Sequence, residues 1–368
     1  MKQTNFFIAA LAICLAACNS GKTTDESIVT LQEEKLPPLQ QLQLEKIDLP
    51  EDYTMGMHVC YVYQDSVLIV AKDNNPYPLK KMVTLVNLNN GSIIGEYFSY
   101  GRGPGELFNI FTQLSLNYLG LLSYETKRFV PFNLDSAIML GNAYKPNIIN
   151  FDRYYFAGFS AIDDTSFMSS NFFYFDGSLP DCEANVNMPE FYQFTKSGRS
   201  IPESKESDIN GAVWMDHVSR EYLSVNKQKN RVACFSAYRP YAKVFDLDLN
   251  LVRRINGPEP DDGIYTLDAG IGMWWNKGYG RNEYYRIPTS DDENIFVVNC
   301  RTHLKWSPKL IDKNAEIFRF DWDGNLIGRY KAQDRRMYGY PTYSSSSNTM
   351  YLWLKEEDGE CRMYKAKL

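Results

Sequence analysis

A hairpin signature in residues 82–106 sets the fold class of this chain. Two β-prone runs, residues 82–88 and 92–100, flank the dipeptide Asn90-Gly91. Asn and Gly tolerate the positive φ angles of a tight two-residue turn, so this pattern is a strong local signal for a β-hairpin. The second run ends in Gly-Arg-Gly-Pro-Gly-Glu, from Gly101 to Glu106, which cannot continue a strand. The stretch therefore predicts two antiparallel strands followed by a fixed turn.

Similar short β-prone runs, bounded by turn residues, recur along the rest of the chain. Further predicted strands are residues 57–64, 66–72, 111–118, 121–124, 129–133, 154–161, 166–173, 190–194, 231–238, 241–248, 251–256, 283–288, 294–300, 316–321, 326–330, 339–344, 349–355 and 361–367. Residues 196–207 are polar and predict a surface loop, and no long helix is predicted.

The spacing of these runs favours a β-propeller. Units of four strands in roughly 40–50 residues are typical of propeller blades, and the chain has room for about six of them. The sequence thus predicts an all-β, six-bladed β-propeller, with seven blades as the alternative. The last group has only three predicted strands, so residues 42–49 are expected to add a fourth strand and close the ring.

The N-terminus predicts export and a lipid anchor. Lys2 is followed by the apolar run 6–17, which is too short to span a bilayer and has the form of a signal-peptide core. The run ends in Leu-Ala-Ala-Cys18, which resembles the lipobox of bacterial lipoproteins. The prediction is a signal peptide at residues 1–17, lipid attachment at Cys18, a flexible polar tether over 18–41 and the propeller over 42–368. The alternative is an ordinary secretory signal that happens to contain Cys18.

Composition narrows the range of partners. The net charge of −6 argues against nucleic acid, which requires a basic face. The predicted partners are the membrane, through the lipid anchor, and a protein or a glycan. Five cysteines remain after Cys14 and Cys18, an odd number without a C-x-x-C pair, so most are expected to be small buried side chains, with a disulfide as the alternative.

Several features together resemble a known family. The Cys18 motif, the polar tether, the Gly101–Glu106 turn and the hairpin sequences FDLDLNLVRR and FDWDGNLIGRY look like the TolB-like six-bladed β-propeller lipoproteins of gut bacteria. The resemblance implies a propeller fold and a location at the outer membrane, on its periplasmic or its outer side. Many members have no assigned activity, and propellers carry many unrelated functions, so function must be argued from a site.

The turn formed by Gly101, Arg102, Gly103, Pro104, Gly105 and Glu106 is predicted to be structural. A phosphate-binding loop would end in Gly-Lys-Ser/Thr, where this chain has Glu106 followed by Leu107. Glu106 would also repel a phosphate. Arg102 is expected to pair with a nearby carboxylate.

Acidic and histidine motifs give weaker signals. The segment 321–325 (DWDGN) lacks the spacing of a calcium-binding EF-hand and predicts a hairpin turn. Pairs of Asp residues could hold a cation through oxygen ligands, although Asp-rich loops are usually solvated turns. Those carboxylates are Asp163, Asp164, Asp261, Asp262 and the nearby Glu259. No metal-binding spacing relates the three histidines, which are His58, His217 and His303.

The densest aromatic stretch supplies the predicted ligand contacts. Trp274, Trp275 and Tyr279 could stack on the apolar faces of sugars, or could fill space between blades. The leading interpretation is a non-enzymatic binding or scaffold module for a protein or glycan, without a cofactor. The alternative is a metal-dependent hydrolase of the lactonase-like propeller type, with its metal in the central channel.

Overall fold

The computed structural model describes residues 27–49, 58–72, 81–151, 156–171, 191–195, 198–200, 221–237, 239–258, 281–304, 310–311, 314–333 and 335–368. They form an all-β arrangement of small sheets that pack side by side as in a β-propeller. The strands are short, and most neighbours within a sheet are consecutive in the chain, as expected of a chain built from successive hairpins.

The described chain begins with three short strands and continues with two groups of longer ones. The bounds are β1 (Ile28–Thr30), β2 (Leu39–Gln41), β3 (Glu45–Lys46), β4 (His58–Tyr63), β5 (Val67–Lys72), β6 (Lys81–Asn87), β7 (Ile93–Ser99), β8 (Ile110–Ser115), β9 (Tyr118–Ser123), β10 (Arg128–Asn133) and β11 (Ile149–Asn150).

The remaining strands complete the ring. Their bounds are β12 (Phe156–Asp163), β13 (Ser166–Asn171), β14 (Phe191–Thr195), β15 (Gly198–Ser200), β16 (Glu221–Asn226), β17 (Arg231–Ser236), β18 (Tyr241–Phe245), β19 (Leu251–Asn256), β20 (Arg281–Tyr285), β21 (Thr289–Ser290), β22 (Asn294–Leu304), β23 (Leu310–Ile311), β24 (Glu316–Asp321), β25 (Leu326–Lys331), β26 (Arg336–Ser344), β27 (Thr349–Lys355) and β28 (Cys361–Lys367).

Hydrogen bonds join the described strands into five sheets instead of the six separate sheets that the sequence predicts. Four of them have four or five strands each, in the orders β4-β5-β6-β7, β12-β13-β14-β15, β1-β19-β18-β17-β16 and β23-β26-β27-β28-β3. The fifth has ten strands, because one parallel bridge between Ser290 in β21 and Ser115 in β8 connects two groups. A bridge of this kind forms where two strands meet in space, which the sequence pattern does not reveal.

The N-terminal segment is bonded to the outer edges of three sheets. β1 pairs in parallel with β19, β2 pairs in parallel with β25, and β3 pairs antiparallel with β28. The last pairing is the one expected of residues 42–49. The first two fall inside residues 18–41, for which the sequence predicts a flexible tether, so residues 28–30 and 39–41 of this stretch are strand-paired. The reason is that edge strands present unpaired N–H and C=O groups that any extended segment can satisfy.

Apolar side chains fill the space between each group of strands and the next. One cluster joins the β4–β7 sheet to the β8–β10 hairpins, and it includes Ile69, Leu85 and Leu121. Another joins the last sheet back to the first, packing Trp353 and Met363 against residues of β4 and β5. The packing therefore joins the last sheet to the first. β5 is buried along its whole length, which explains why most of its sequence is apolar.

A short helix and two further strands are local departures from the predicted pattern. Helix α1 (Leu134–Leu140) begins where the Asn133 side chain accepts a hydrogen bond from the Ser136 N–H at 2.9 Å. β16 lies in a stretch for which no strand is predicted, and β15 lies inside the predicted loop 196–207. Both are strands because a neighbouring strand pairs with them, although their own sequences are only weakly β-prone.

Neither disulfides nor membrane-crossing helices occur in the described segments. Cys60, Cys234, Cys300 and Cys361 are not in disulfides, and the first three are buried as expected of small apolar side chains. Burial raises the pKa of the Cys60 thiol far above its usual value. Among the helices in these segments, no member has the length and apolar character needed to cross a bilayer.

Candidate functional site

The turn from Gly101 to Glu106 joins β7 to β8 and is fixed by charged side chains. The Glu106 carboxylate accepts a hydrogen bond from the Gly103 N–H at 2.8 Å. Arg128 in β10 donates to the carbonyl oxygens of Gly103 and Glu106, at 2.6 and 2.7 Å. Hydrogen bonds to charged groups are stronger than neutral ones, so these contacts fix the path of the turn.

Gly101 allows the close approach of Glu106. A Cβ atom at Gly101 would overlap the Glu106 carboxylate. The Gly101 N–H donates to the Leu107 carbonyl at 3.0 Å, and the Leu107 N–H donates to the Ser99 carbonyl at 3.1 Å, so the chain returns almost to its starting point. Glu106 is thus used inside the turn, while Pro104 and Gly105 are exposed at its tip.

Arg102 points out of the turn and has a different role. Its side chain is 69% exposed, and its Nη2 lies 2.9 Å from Oε2 of Glu125, the carboxylate partner that the sequence left unnamed. The guanidinium carbon lies 4.6 Å from the centre of the Phe108 ring. Asn109 donates to the other oxygen of Glu125 at 2.5 Å. These contacts hold Arg102 over an aromatic face at the protein surface.

Two aromatic pairs involve residues close in sequence to this ion pair. The rings of Tyr100 and Phe108 lie 4.7 Å apart between centroids, and those of Phe111 and Tyr124 lie 5.1 Å apart at an interplanar angle of 67°. Phe111 is the second residue of β8 and is 50% exposed. We call the combined surface the aromatic strip; its residues are Tyr100, Arg102, Phe108, Asn109, Phe111, Tyr124 and Glu125.

The aromatic strip combines apolar ring faces with hydrogen-bonding groups at their edges. A ring face is electron-rich and attracts C–H groups, while Glu125 accepts hydrogen bonds and Arg102 donates them. Phe111 is the exposed ring of the strip, and Tyr100, Phe108 and Tyr124 are partly buried. The arrangement therefore suits a ligand that has both apolar faces and hydroxyl groups.

Buried hydroxyl groups join three strands that are distant in sequence. The Oγ atoms of Ser115, Ser224 and Ser290 form a triangle with sides of 2.9, 3.0 and 2.7 Å. All three side chains are buried and come from different groups of strands, β8, β16 and β21. Gln113 also donates to the Leu223 carbonyl. These buried contacts connect β8, β16 and β21.

The proposed metal-binding motifs have other partners in the structure. The Asp163 carboxylate lies 2.7 Å from the Lys227 ammonium group. Partial burial alone would raise the pKa of Asp163. The ion pair and hydrogen bonds from Thr165 and Ser166 outweigh this effect and hold the pKa well below its usual value. Asp164 accepts from Asn133 at 3.2 Å. Across the described segments, no group of three or more His, Cys, Asp or Glu side chains could hold a metal ion.

The segment 321–325 forms the hairpin that its sequence predicts. The Asp321 carboxylate accepts from the N–H groups of Asp323 and Asn325, and the Asn325 amide donates back to it at 2.7 Å. The equivalent turn at 246–250 repeats the last two contacts with Asp246 and Asn250. The Asp and Asn side chains of this repeat are therefore turn-forming groups.

A polar groove lies beside the 321–325 hairpin. It has a volume of about 380 Å³ and includes Trp322 in its lining. Two ion pairs lie in its lining, Lys229–Glu293 at 2.8 Å and Arg231–Asp323 at 2.9 Å, and Asp321 adds a third carboxylate.

Several residues singled out in the sequence fall outside the described segments. These are Cys18, Cys182, His217, Glu259, Asp261, Asp262, Trp274, Trp275 and Tyr279. His58 lies in β4 and His303 lies in β22.

Of the residues in the aromatic strip, only Arg102 was singled out from the sequence. Phe111 and Tyr124 stand at the two ends of the predicted strands 111–118 and 121–124, which is where an antiparallel hairpin brings side chains together. The closeness of Phe111 and Tyr124 could therefore be predicted from the sequence. The contacts of Arg102 with Glu125 and Phe108 could not, because they depend on how the turn folds back over the next sheet.

Comparisons with solved structures support the fold. A member of the DUF4221 family from Bacteroides vulgatus is similar with a TM-score of 0.52 and 13% identity, over 88% of this chain and 95% of that chain. A putative exported protein from Bacteroides fragilis is similar with a TM-score of 0.53 and 10% identity, over 92% and 98% of the two chains. At such low identity the likeness shows a shared fold. No family model matches this chain, and no curated protein matches it.

Proposed function

We propose that this protein is a lipid-anchored, extracytoplasmic β-propeller that binds a glycan at the aromatic strip. The observation that carries the binding function is Phe111, a half-exposed aromatic side chain beside Tyr124 and close in sequence to the exposed Arg102–Glu125 ion pair. A half-exposed ring beside a second ring and hydrogen-bonding groups can stack on the apolar face of a sugar. The role is that of a binding or scaffold module, without a cofactor.

The proposed propeller has six blades of the TolB-like type. The ten-stranded sheet divides into two blades at the single Ser115–Ser290 bridge. Six apolar clusters then separate successive blades, including one between the last and the first. The blade assignment rests on this packing, since a bridge of one residue pair adds little to the cohesion of a sheet.

Export and anchoring at the outer membrane rest on the N-terminal sequence. The apolar run 6–17 and Cys18 support a lipoprotein signal, and one structural neighbour is described as a putative exported protein. In cells that express the full chain, Cys18→Ser should move the protein from the membrane fraction to the soluble fraction and abolish labelling by a palmitate analogue. Unchanged labelling of this variant would contradict attachment at Cys18. Protease treatment of intact cells then separates the periplasmic from the outer side.

Glycan binding is tested with the full-length protein in detergent on an array of neutral and charged polysaccharides. Phe111→Ala should weaken binding at least about fivefold, because a central aromatic contact is worth more than about 1 kcal/mol. Ile327→Ala is the matched control, since Ile327 is 47% exposed and lies outside the strip. Binding that is equal in both variants would contradict the assignment of the strip.

Two further outcomes separate the remaining candidates. If Trp274→Ala with Trp275→Ala abolishes glycan binding while Phe111→Ala does not, the site predicted from sequence around Trp274, Trp275 and Tyr279 is the correct one. If no glycan binds but Phe111→Ala prevents cross-linking to one membrane protein, the partner is a protein.

The lactonase-like hydrolase stays the alternative function. Its test is metal analysis of the purified protein together with hydrolysis of lactone and phosphoester substrates. A stoichiometric divalent ion that is required for turnover would favour it over the binding role.

A further inference from the structure

We infer that the turns at the end of the strands opposite to the aromatic strip form a docking face for a zwitterionic lipid surface, so that the strip points away from the bilayer. The inference rests on the lipid anchor proposed above and adds the orientation of the anchored protein. Three observations carry it: the contacts that place these turns on one face, the exposed apolar side chains at its rim, and the direction of β1.

The turns that follow the first strands of successive strand groups lie side by side. Asp163 lies 2.7 Å from Lys227, and this ion pair joins the 164–165 turn to the 227–230 turn. Lys229 lies 2.8 Å from Glu293, and this second pair joins the 227–230 turn to the 291–293 turn. Ion pairs act over a few ångströms, so the three turns stand at the same end of their strands.

Further contacts extend this series to the remaining groups of strands. Asn133, which caps α1, donates to Asp164 at 3.2 Å, and Tyr63 donates to Asp135 in α1 at 2.8 Å. Helix α1 is therefore bonded on one side to the 164–165 turn and on the other to β4, next to the 64–66 turn. Asp65 in that turn accepts from serines of the turn between β26 and β27. The series thus includes every group of strands.

The outer hairpins of three groups are bonded to the same turns. The bonds are Leu88 N–H to the Ser66 carbonyl at 2.8 Å, Leu247 N–H to the Asn230 side chain at 3.1 Å and Trp322 Nε1–H to the Asp291 carbonyl at 3.0 Å. We call the combined surface the turn face; it comprises residues 64–66, 88–92, 133–140, 163–166, 226–231, 246–250, 291–294, 321–325 and 345–348. β7 begins at this face and ends at the 101–106 turn, so the aromatic strip lies at the other end.

Exposed apolar side chains lie at the rim of the turn face. Ile93 and Leu251 are the first residues of β7 and β19, directly after their hairpins, and are 51% and 42% exposed. Ile327, the second residue of β25, is 47% exposed. Met139 and Leu140 end helix α1 and are 76% and 48% exposed. Four separate elements therefore present large apolar groups to solvent at this end of the molecule.

This distribution suits a lipid surface better than a protein partner. A protein partner buries one contiguous patch, and these side chains belong to different groups of strands. A bilayer interface can take several protruding apolar groups at once, each entering the boundary between headgroups and acyl chains. A lipid anchor keeps the protein at the membrane, so even weak contacts are sufficient to orient it.

The direction of β1 agrees with this orientation. β1 runs parallel to β19, which starts at the 246–250 hairpin, so β1 traced backward from Thr30 to Ile28 heads toward the turn face. The Ser27 carbonyl accepts from the Arg254 N–H at 2.6 Å. Nine residues of chain lead from Ser27 back to Cys18 and span at most about 32 Å. A lipid on Cys18 would therefore hold the protein close to the bilayer.

The charge of the turn face selects the kind of lipid. Its segments contain eleven Asp and Glu residues and three Lys and Arg residues. The three cations already have carboxylate partners on the same face, in the pairs Asp163–Lys227, Lys229–Glu293 and Arg231–Asp323. An anionic lipid surface would meet the excess of negative charge, whereas a zwitterionic surface carries no net charge to repel it.

The test is amide hydrogen exchange of the full-length lipidated protein on phosphatidylcholine vesicles, with the Cys18→Ser protein free of vesicles as the reference. Exchange should slow at least about threefold in segments 88–92, 139–142 and 246–250, because lipid excludes water there. It should be unchanged in 101–106 and in 356–360, the turn at the far end of β27. Slowing in these two segments alone, or in no segment, would overturn the inference.

Apolar variants locate the contact. Met139→Gln combined with Leu140→Gln should remove at least about half of the slowing in segment 88–92, because two of the apolar contacts are lost. Phe111→Ala is the matched control for docking, since Phe111 is 50% exposed and lies at the end of β8 nearest the strip. An equal loss of slowing in the control would contradict the assignment of the turn face.

Lipid charge and anchoring give the remaining outcomes. Replacing about a third of the phosphatidylcholine by phosphatidylglycerol should reduce the slowing at low ionic strength, and added salt should restore it. Greater slowing on the anionic vesicles would overturn the zwitterionic surface. Wild-type protein that carries no lipid and does not float with vesicles would refute the proposed anchor together with this inference. Flotation without slowing overturns the inference alone.

Discussion

Gly158 shows how one residue controls the spacing of strands near the axis. A Cβ atom placed there would overlap the backbone of Glu221 and approach that of Tyr222, which belong to β16. The Gly158 N–H donates to Ser170, and the Ser170 hydroxyl donates to the Glu221 carbonyl at 2.7 Å. The contact between β12 and β16 thus depends on the absence of a side chain.

Gly158→Ala should lower the free energy of unfolding by about 1–3 kcal/mol, since a buried methyl group forces the two backbones apart. Gly359→Ala is the control: its Cβ meets open space, so only its positive φ of 87° opposes the change. Urea unfolding of both variants measures the difference. A smaller loss for Gly158→Ala than for Gly359→Ala would contradict the close-contact argument.

Asp65 is a second residue whose surroundings give a measurable prediction. Its carboxylate accepts hydrogen bonds from three serines of the turn between β26 and β27 and from Tyr351. Partial burial alone would raise the pKa of Asp65, but these hydroxyl donors lower it below its usual value. The contacts connect the first sheet to the last.

Because the pKa of Asp65 is lower in the folded state, its contribution is fully present above about pH 4 and disappears as the pH falls further. Asp65→Asn should cost about 1–2 kcal/mol at pH 7, and this difference from the wild type should shrink below pH 4. Urea unfolding at several pH values provides the measurement. Asp48→Asn is the control, as that side chain is 95% exposed. A pH-independent difference for Asp65→Asn would refute the argument.

At the scale of elements, β1 covers an edge that would otherwise be open. Arg254 donates its N–H to the Ser27 carbonyl at 2.6 Å, and Leu31 donates to the Asn256 carbonyl at 2.9 Å. Val29 lies between them, opposite Ile255. An uncovered β19 would present unpaired backbone groups to other chains.

Val29→Pro should detach β1 from β19, because proline has no N–H and cannot take part in the ladder. We expect a loss of about 1–2 kcal/mol, faster amide exchange at Arg254 and Leu31, and a greater tendency to aggregate. Val29→Thr keeps the N–H and the β-branched shape and should behave like the wild type. Amide protection that is the same in the proline variant would show that β1 does not depend on these bonds.

At the scale of the whole molecule, the serine triangle joins strands that lie far apart in sequence. Each hydroxyl can donate one hydrogen bond and accept another, so Ser115, Ser224 and Ser290 can satisfy one another in a cycle. Removing one member leaves a buried hydroxyl without a donor or an acceptor, whereas removing all three leaves none unsatisfied.

Ser224→Ala should therefore cost about 1–3 kcal/mol, and replacing all three serines by Ala should cost less than three times that amount. Urea unfolding of the single, double and triple variants measures the coupling. The control is Ser345→Ala, at an exposed position in the turn between β26 and β27. Strictly additive losses would contradict a shared hydrogen-bonded cycle.

The sequence alone determined the all-β class and many individual strands. The bounds of β19, β24, β27 and β28 match the predicted runs residue for residue, because a run of β-prone residues between turn residues is a local pattern. The hairpins at 246–250 and 321–325 follow from local chemistry too, since Asp and Asn side chains bond to their own turn. The capping residue Asn133 was a local signal for helix α1, although no helix was predicted there.

Tertiary structure decided everything that depends on a partner distant in sequence. β1, β2 and β16 are strands because neighbouring edges pair with them, and the ten-stranded sheet exists because Ser115 and Ser290 meet near the axis. The aromatic strip is of the same kind. The sequence suggested a carboxylate partner for Arg102, but neither that this partner is Glu125 nor that Arg102 lies over Phe108. Hydrogen bonds and ring contacts act over a few ångströms in space, whereas the sequence records only distance along the chain.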